Sequence, residues 1–154
     1  MIRYAYHSSQ HGPEANAQCA GFVSQMIWGD GRGFTPHMSM AVIEGETLIA
    51  ATIYHNMDPD AGVIELSSGA YSKRWLQPQI IRAMFWLPFE FLKCQMVVLR
   101  VDAANSGMCA IARRFGFDEH VIPRLMGRDK PGIVFTLTDD QWRAHRLYKN
   151  SPLP

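Results

Sequence analysis

The chain is poor in charge. Only 19% of its 154 residues are charged, and the formal net charge is +1. There is no overall positive excess to draw it onto nucleic acid or an anionic membrane. Long apolar runs are also missing. None reaches the length of a membrane span, and Met1-Ile-Arg-Tyr4 does not read as the start of a secretory leader. The cysteines are three (Cys19, Cys94 and Cys109) and never in CxxC spacing. An odd, scattered set argues against a disulfide framework and against a zinc knuckle. A reduced, cytoplasmic setting is the expectation. Internal repeats, low-complexity tracts and linker-like stretches are lacking as well, so residues 1–154 read as a single domain.

What the chain does have is apolar material. Hydrophobic residues make up 47% of it, enough for a sizeable core. Ile2 to Tyr6 alternates as a short strand does. Pro13-Glu14 opens a helix whose apolar positions Cys19, Phe22, Val23, Met26 and Ile27 recur at helical spacing. Gly29-Asp-Gly-Arg-Gly33 stops it and forms a loop. Met38–Ile43 and Leu48–His55 read as strands joined by Glu44-Gly45-Glu46. After the turn around Asp58-Pro59-Asp60, Val63–Ala70 is the next strand.

Pro78 suits the first turn of a helix. Ile80 to Lys93 is apolar nearly all round, which predicts a helix buried on several sides, bent or ended at Pro88. Met96–Val101 is a consecutive apolar run, as in a strand covered on both faces. Asn105 or Ser106 caps the following helix, with Met108, Ile111, Ala112 and Phe115 as its buried face and Gly116 as its stop. Ile133–Leu137 is a last strand, and Asp139-Asp140 begins a polar helix. The order strand, helix, strands, helix, strand, helix, strand defines a mixed α/β (α+β) domain.

Two clusters invite chemistry and explain little. His7 and His11 are four apart, but Gly12-Pro13 breaks the helix that would bring them to one face. Arg113-Arg114 and Arg124, Arg128 and Lys130 read as solvated basic faces, and nucleic acid is an unlikely partner at this net charge.

The segment Arg100-Val-Asp-Ala-Ala-Asn105-Ser-Gly-Met-Cys-Ala-Ile-Ala-Arg-Arg-Phe115-Gly116-Phe117 is the most specific. It runs strand, asparagine, one-sided helix, then glycine between two phenylalanines, with Asn105 and Gly116 eleven residues apart. It resembles the asparagine-to-Gly-Phe segment of the GNAT superfamily of acyl-CoA N-acyltransferases, and within it the branch that acetylates ribosomal-protein N-termini. The similarity is most specific from about Val63 to Leu137. It implies a single GNAT-like domain with a central, mostly antiparallel twisted sheet flanked by helices.

The resemblance implies acetyl-CoA as co-substrate and an amine on a protein or small molecule as acceptor. Members of the family are often homodimers. In such enzymes the strand before the long helix pairs with the pantetheine arm, which here places Ser67, Ser68 and Gly69 along the cofactor. A basic, glycine-rich turn then offers backbone N–H groups to the pyrophosphate. Here that turn is Ser72-Lys73-Arg74-Trp75-Leu76, with Lys73 and Trp75 standing where the family has glycines. Two readings stay open. Lys73 or Arg74 supplies the charge and the helix N-terminus the donors, or Trp75 fills the phosphate site. Asn105 in this family contacts the CoA arm as well as capping its helix.

Acyl transfer to an amine needs a base and benefits from an acid for the leaving thiolate. Glu65, mid-strand beside the place where the acceptor enters, is the candidate base, and His55 is the alternative. The family's usual acids fall on Ala112 and, in the ribosomal-protein branch, on Met108, and neither carries a proton to give. Tyr71 is the conceivable substitute. Two functions therefore compete: an N-acetyltransferase, and a noncatalytic GNAT-like binding or structural protein, of a kind a phage or prophage could encode.

Overall fold

The computed structural model describes residues 1–149. One seven-stranded sheet organises them. Its strands are β1 (Ile2–His7), β2 (His37–Glu44), β3 (Thr47–Asp58), β4 (Val63–Ala70), β5 (Met96–Asp102), β6 (Asp118–Gly127) and β7 (Lys130–Thr138). In space they run β1-β2-β3-β4-β5-β7-β6. Every neighbouring pair is antiparallel except β4 with β5. The expected mixed, mostly antiparallel sheet with flanking helices is what the chain adopts.

Helix α1 (Pro13–Trp28) covers one face, over β2, β3 and β4. Cys19, Ala20 and Val23 pack there on Ala41, Ala51 and Ile53. The buried line is Asn16, Cys19, Ala20, Val23 and Ser24, while Met26 and Ile27 are exposed. The helix is thus rotated from the face that apolarity alone predicts. Two polar side chains explain the rotation, because each is hydrogen-bonded inside. Asn16 Oδ1 accepts from the Ser39 hydroxyl at 2.7 Å, and Ser24 Oγ donates to the Asp30 carbonyl at 3.0 Å. A satisfied polar group can be buried at little cost.

The opposite face carries α2 (Pro78–Trp86), α3 (Ser106–Phe115), α4 (Asp139–Ala144) and α5 (Arg146–Lys149). Here Phe85, Phe89 and Trp142 join Tyr54, Leu66, Val97 and Leu137 in the main core. The long apolar helix of the sequence reading divides at Pro88. Regular α-helix stops at Trp86, and Leu87–Phe91 form a wider turn in which the Leu92 N–H donates to the Leu87 carbonyl at 2.9 Å. Pro88 cannot donate, and its ring blocks the regular spacing.

Helix α3 is capped as its sequence predicts. Asn105 Oδ1 accepts from the Met108 N–H at 3.1 Å, and Gly116 closes the helix at φ 110°, a conformation that costs other residues a steric clash. Its buried line is Cys109 and Ala112. Met108, Ile111 and Phe115 are only partly covered and line a groove instead.

Strand β6 has no counterpart in the sequence reading, which assigns no element between Gly116 and Ile133. The correction has a physical cause. Nearly every residue of β6 is exposed, so no alternation of apolar and polar side chains marks it. It is an edge strand, held by its hairpin with β7 through register pairs from Asp118–Thr136 to Gly127–Lys130.

Candidate active site

Strands β4 and β5 meet for a short distance only. Val63, Ile64 and Glu65 are paired in register with Met96, Val97 and Val98, and beyond Glu65 the two strands diverge. From Leu66 to Ala70 one edge of β4 therefore faces no strand. Its backbone groups need partners, and an extended ligand laid alongside can supply them. The divergence opens a groove of about 340 Å³ on the α2–α3 side of the sheet. Leu66, Leu99, Met84, Phe85, Phe115 and Phe117 are among the apolar walls.

The sequence candidates divide around this groove. Ser68, Gly69, Lys73, Trp75 and Leu76 line it. Ser68 Oγ is hydrogen-bonded to Thr52 Oγ1 at 2.8 Å. Gly69 also lets α1 approach, since a Cβ there would meet Met26 Sδ at 3.0 Å. Trp75, 7% exposed, is packed in the main core and forms part of the wall, leaving the groove open. Ser67 points to the other face, as strand alternation demands. Arg74 is outside the groove lining and grips the Glu44 carboxylate with both guanidinium nitrogens, at 2.8 and 2.6 Å. Asn105 is also outside the lining, at the head of α3.

On the α1 side of the sheet, at the point where the strands part, lies a polar cluster. His55 and Glu65 are register partners on β3 and β4. Their side chains are 10% and 14% exposed, with Nε2 3.8 Å from Oε2. His55 Nε2 is 2.8 Å from Ser67 Oγ, and Asn56 Nδ2 donates to Glu65 Oε1 at 3.0 Å. The His55 ring leans on Phe34 with centroids 4.7 Å apart. Burial pushes the His55 pKa below its ordinary value. The Glu65 charge opposes that shift, and His37 and Arg100 add to it. The imidazole is therefore held as a free base at neutral pH, beside a carboxylate.

His37 sits next to this pair in the same register row. Its ring nitrogens face the Phe34 and Asn16 carbonyls at 2.8 and 3.0 Å, which ties the loop after α1 to the sheet. Tyr71 is elsewhere. It is 72% exposed and packs edge-on against Phe22, centroids 5.3 Å apart. At strand rise it stands about 20 Å along the chain from Glu65. The structure brings His55, Glu65 and Ser67 together and leaves Tyr71 out.

Sequence reasoning missed Asn56, Phe34 and Arg100 as neighbours of the pair, and Leu99, Met108 and Ile111 as groove wall. Strand alternation applied to β5 separates Leu99 from Arg100, so that signal was present. The approach of Phe34 depends on loop geometry that no periodicity encodes.

No protein-family model matches the chain, and no curated protein matches it. Solved structures do share its fold, and they are GNAT-family acetyltransferases. A GCN5-related N-acetyltransferase from Brucella melitensis superposes with a TM-score of 0.66 at 17% identity, over 96% of this chain and 79% of that one. A probable acetyltransferase of the GNAT family from Chromobacterium violaceum gives 0.64 at 20% identity, over 92% and 89%. The spermidine/spermine N-acetyltransferase of Vibrio cholerae gives 0.62 at 13% identity, over 70% and 67%. At these identities the likeness establishes the fold.

Proposed function

We propose that the protein is an N-acyltransferase that moves an acetyl group from a pantetheine thioester, acetyl-CoA in the simplest case, to a primary amine. The parting of β4 and β5 carries this reading. It provides a strand edge for the pantetheine amides on one face of the sheet and a base pair, Glu65 with His55, where the gap reaches the other face. A thioester laid in the groove presents its carbonyl carbon through the gap, and the amine approaches from the α1 side.

The step balances simply. The amine nitrogen attacks the carbonyl carbon, and the carbon–sulfur bond breaks as the amide forms. Glu65, directly or through a water, takes the surplus N–H proton, with His55 as its neighbour or its replacement. The thiolate leaves and is protonated from solvent. Holding both partners in line supplies much of the rate. Ala112 and Met108 line the groove where the family's acids stand and give no proton, but a thiolate is stable enough to leave without one.

The acceptor is an amine on a small molecule or at a protein N-terminus, the latter being the substrate of the ribosomal-protein branch that the sequence resembles. The α1 side of the sheet, where the polar pair lies, is the expected route of entry. The test is thiol release from acetyl-CoA against a panel of polyamines, amino acids and N-terminal peptides. Acceptor-dependent release that Glu65→Gln abolishes supports the reading. No release, together with no thioester binding, favours the noncatalytic binding module.

A further inference from the structure

We propose that this chain holds its donor by the pantetheine arm and acyl group, with the nucleotide end contributing little, so that its donors are pantetheine thioesters as a class. The proposal rests on the transfer reading above. It concerns the turn between β4 and α2, where the resembling enzymes bind diphosphate. A diphosphate site of that kind needs unspent backbone N–H groups converging on one point.

Five of those in this turn and at the start of α2 are spent. The Arg74 N–H donates to Ser72 Oγ at 3.3 Å, the Leu76 N–H to the Lys73 carbonyl at 3.0 Å, and the Gln77 N–H to the Trp75 carbonyl at 2.8 Å. The N–H groups of Ile80 and Ile81 both go to the Gln77 carbonyl at 3.0 Å. Pro78, the first residue of α2, has no N–H to give. Lys73–Trp75 form a turn of 3₁₀ helix that uses its own hydrogen bonds, and Trp75 anchors it in the core.

Charge is spent there too. Arg74 is neutralised by Glu44 through two short hydrogen bonds. Lys73 is the one cationic side chain in the groove lining among the described residues. A single exposed ammonium gives a phosphate a weak, salt-sensitive contact. The site for the arm is intact by contrast. The free edge of β4 and the apolar walls of α2 and α3 remain available to amides, methylenes and an acyl group.

Calorimetric titration of the full chain with acetyl-CoA and with S-acetylpantetheine, in the same buffer, tests this. The expected result is dissociation constants within about tenfold of each other. Acetyl-CoA binding about a hundredfold tighter would overturn the proposal while leaving the transfer reading standing. Absence of binding by both would overturn the proposal and the transfer reading together.

Discussion

Glu65 and His55 face one another across β3 and β4. The carboxylate takes one hydrogen bond from Asn56 and lies 3.8 Å from the imidazole. Replacing it with glutamine keeps the shape and the Asn56 contact and removes the base. Steady-state kinetics on Glu65→Gln should show kcat reduced about a hundredfold or more, the scale of general-base catalysis, with donor affinity unchanged. Turnover equal to the parent would exclude Glu65. His55 gives a pH signature. Its folded pKa lies below the ordinary 6.5 because burial disfavours the charged ring. The free base therefore persists below pH 6.5, and kcat/KM should fall only in more acid solution. His55→Gln should remove that acid limb. A limb centred above 6.5 would show that another group controls the rate. Both residues are candidates from the sequence by type and position. Their partnership is not legible there, because it depends on a cross-strand register, His55 opposite Glu65, that no local pattern states.

At the scale of elements, caps and breakers were the readable signals. Pro13, Pro78, Pro88, Asn105 and Gly116 each act where chain chemistry requires. The cap at Asn105 yields a measurable effect. Asn105→Ala should lower stability by about 1 kcal/mol in a denaturant titration, since the Met108 N–H loses its acceptor. A fall in donor affinity beyond that loss would give Asn105 the second role that the asparagine has in the family the sequence resembles. A separate device joins the C-terminal helices to α3. His145 Nε2 donates to the Phe115 carbonyl at 3.1 Å, Nδ1 accepts from the Leu147 N–H at 3.1 Å, and the ring stacks on Phe115 at 4.2 Å. That arrangement requires the neutral ring, and burial lowers its pKa. The unfolded imidazole gains its proton as pH falls through about 6.5, while the folded one resists until lower pH. Stability should therefore be full above pH 6.5 and decline below it. Thermal melts across that window should show the decline, and His145→Gln should flatten it. Element β6 marks the limit of pattern reading, because an exposed edge strand buries no face and leaves no periodicity to find.

One sheet separates an apolar groove from a polar pair. The α2–α3 face holds the apolar groove, the α1 face holds the polar pair, and on the proposed reading the gap between β4 and β5 joins them. The sequence carried the order of elements and so the architecture. It could not carry the groove, whose walls come from β4, α2, β5 and α3, segments up to about fifty residues apart. If this division is correct, blocking the groove should stop the donor while sparing the pair. Met108 is the residue for that experiment. It lines the groove from the first turn of α3, is only partly buried, and is not a member of the core clusters' fully buried set. Met108→Trp adds an indole that the groove must accommodate and leaves no polar partner unsatisfied. Donor affinity should fall at least tenfold, with a melting temperature close to the parent's because the added bulk enters open space and compresses no packed core. Unchanged donor affinity in a folded Met108→Trp protein would mean that the donor does not use this groove, and with it the assignment of the two faces would fail.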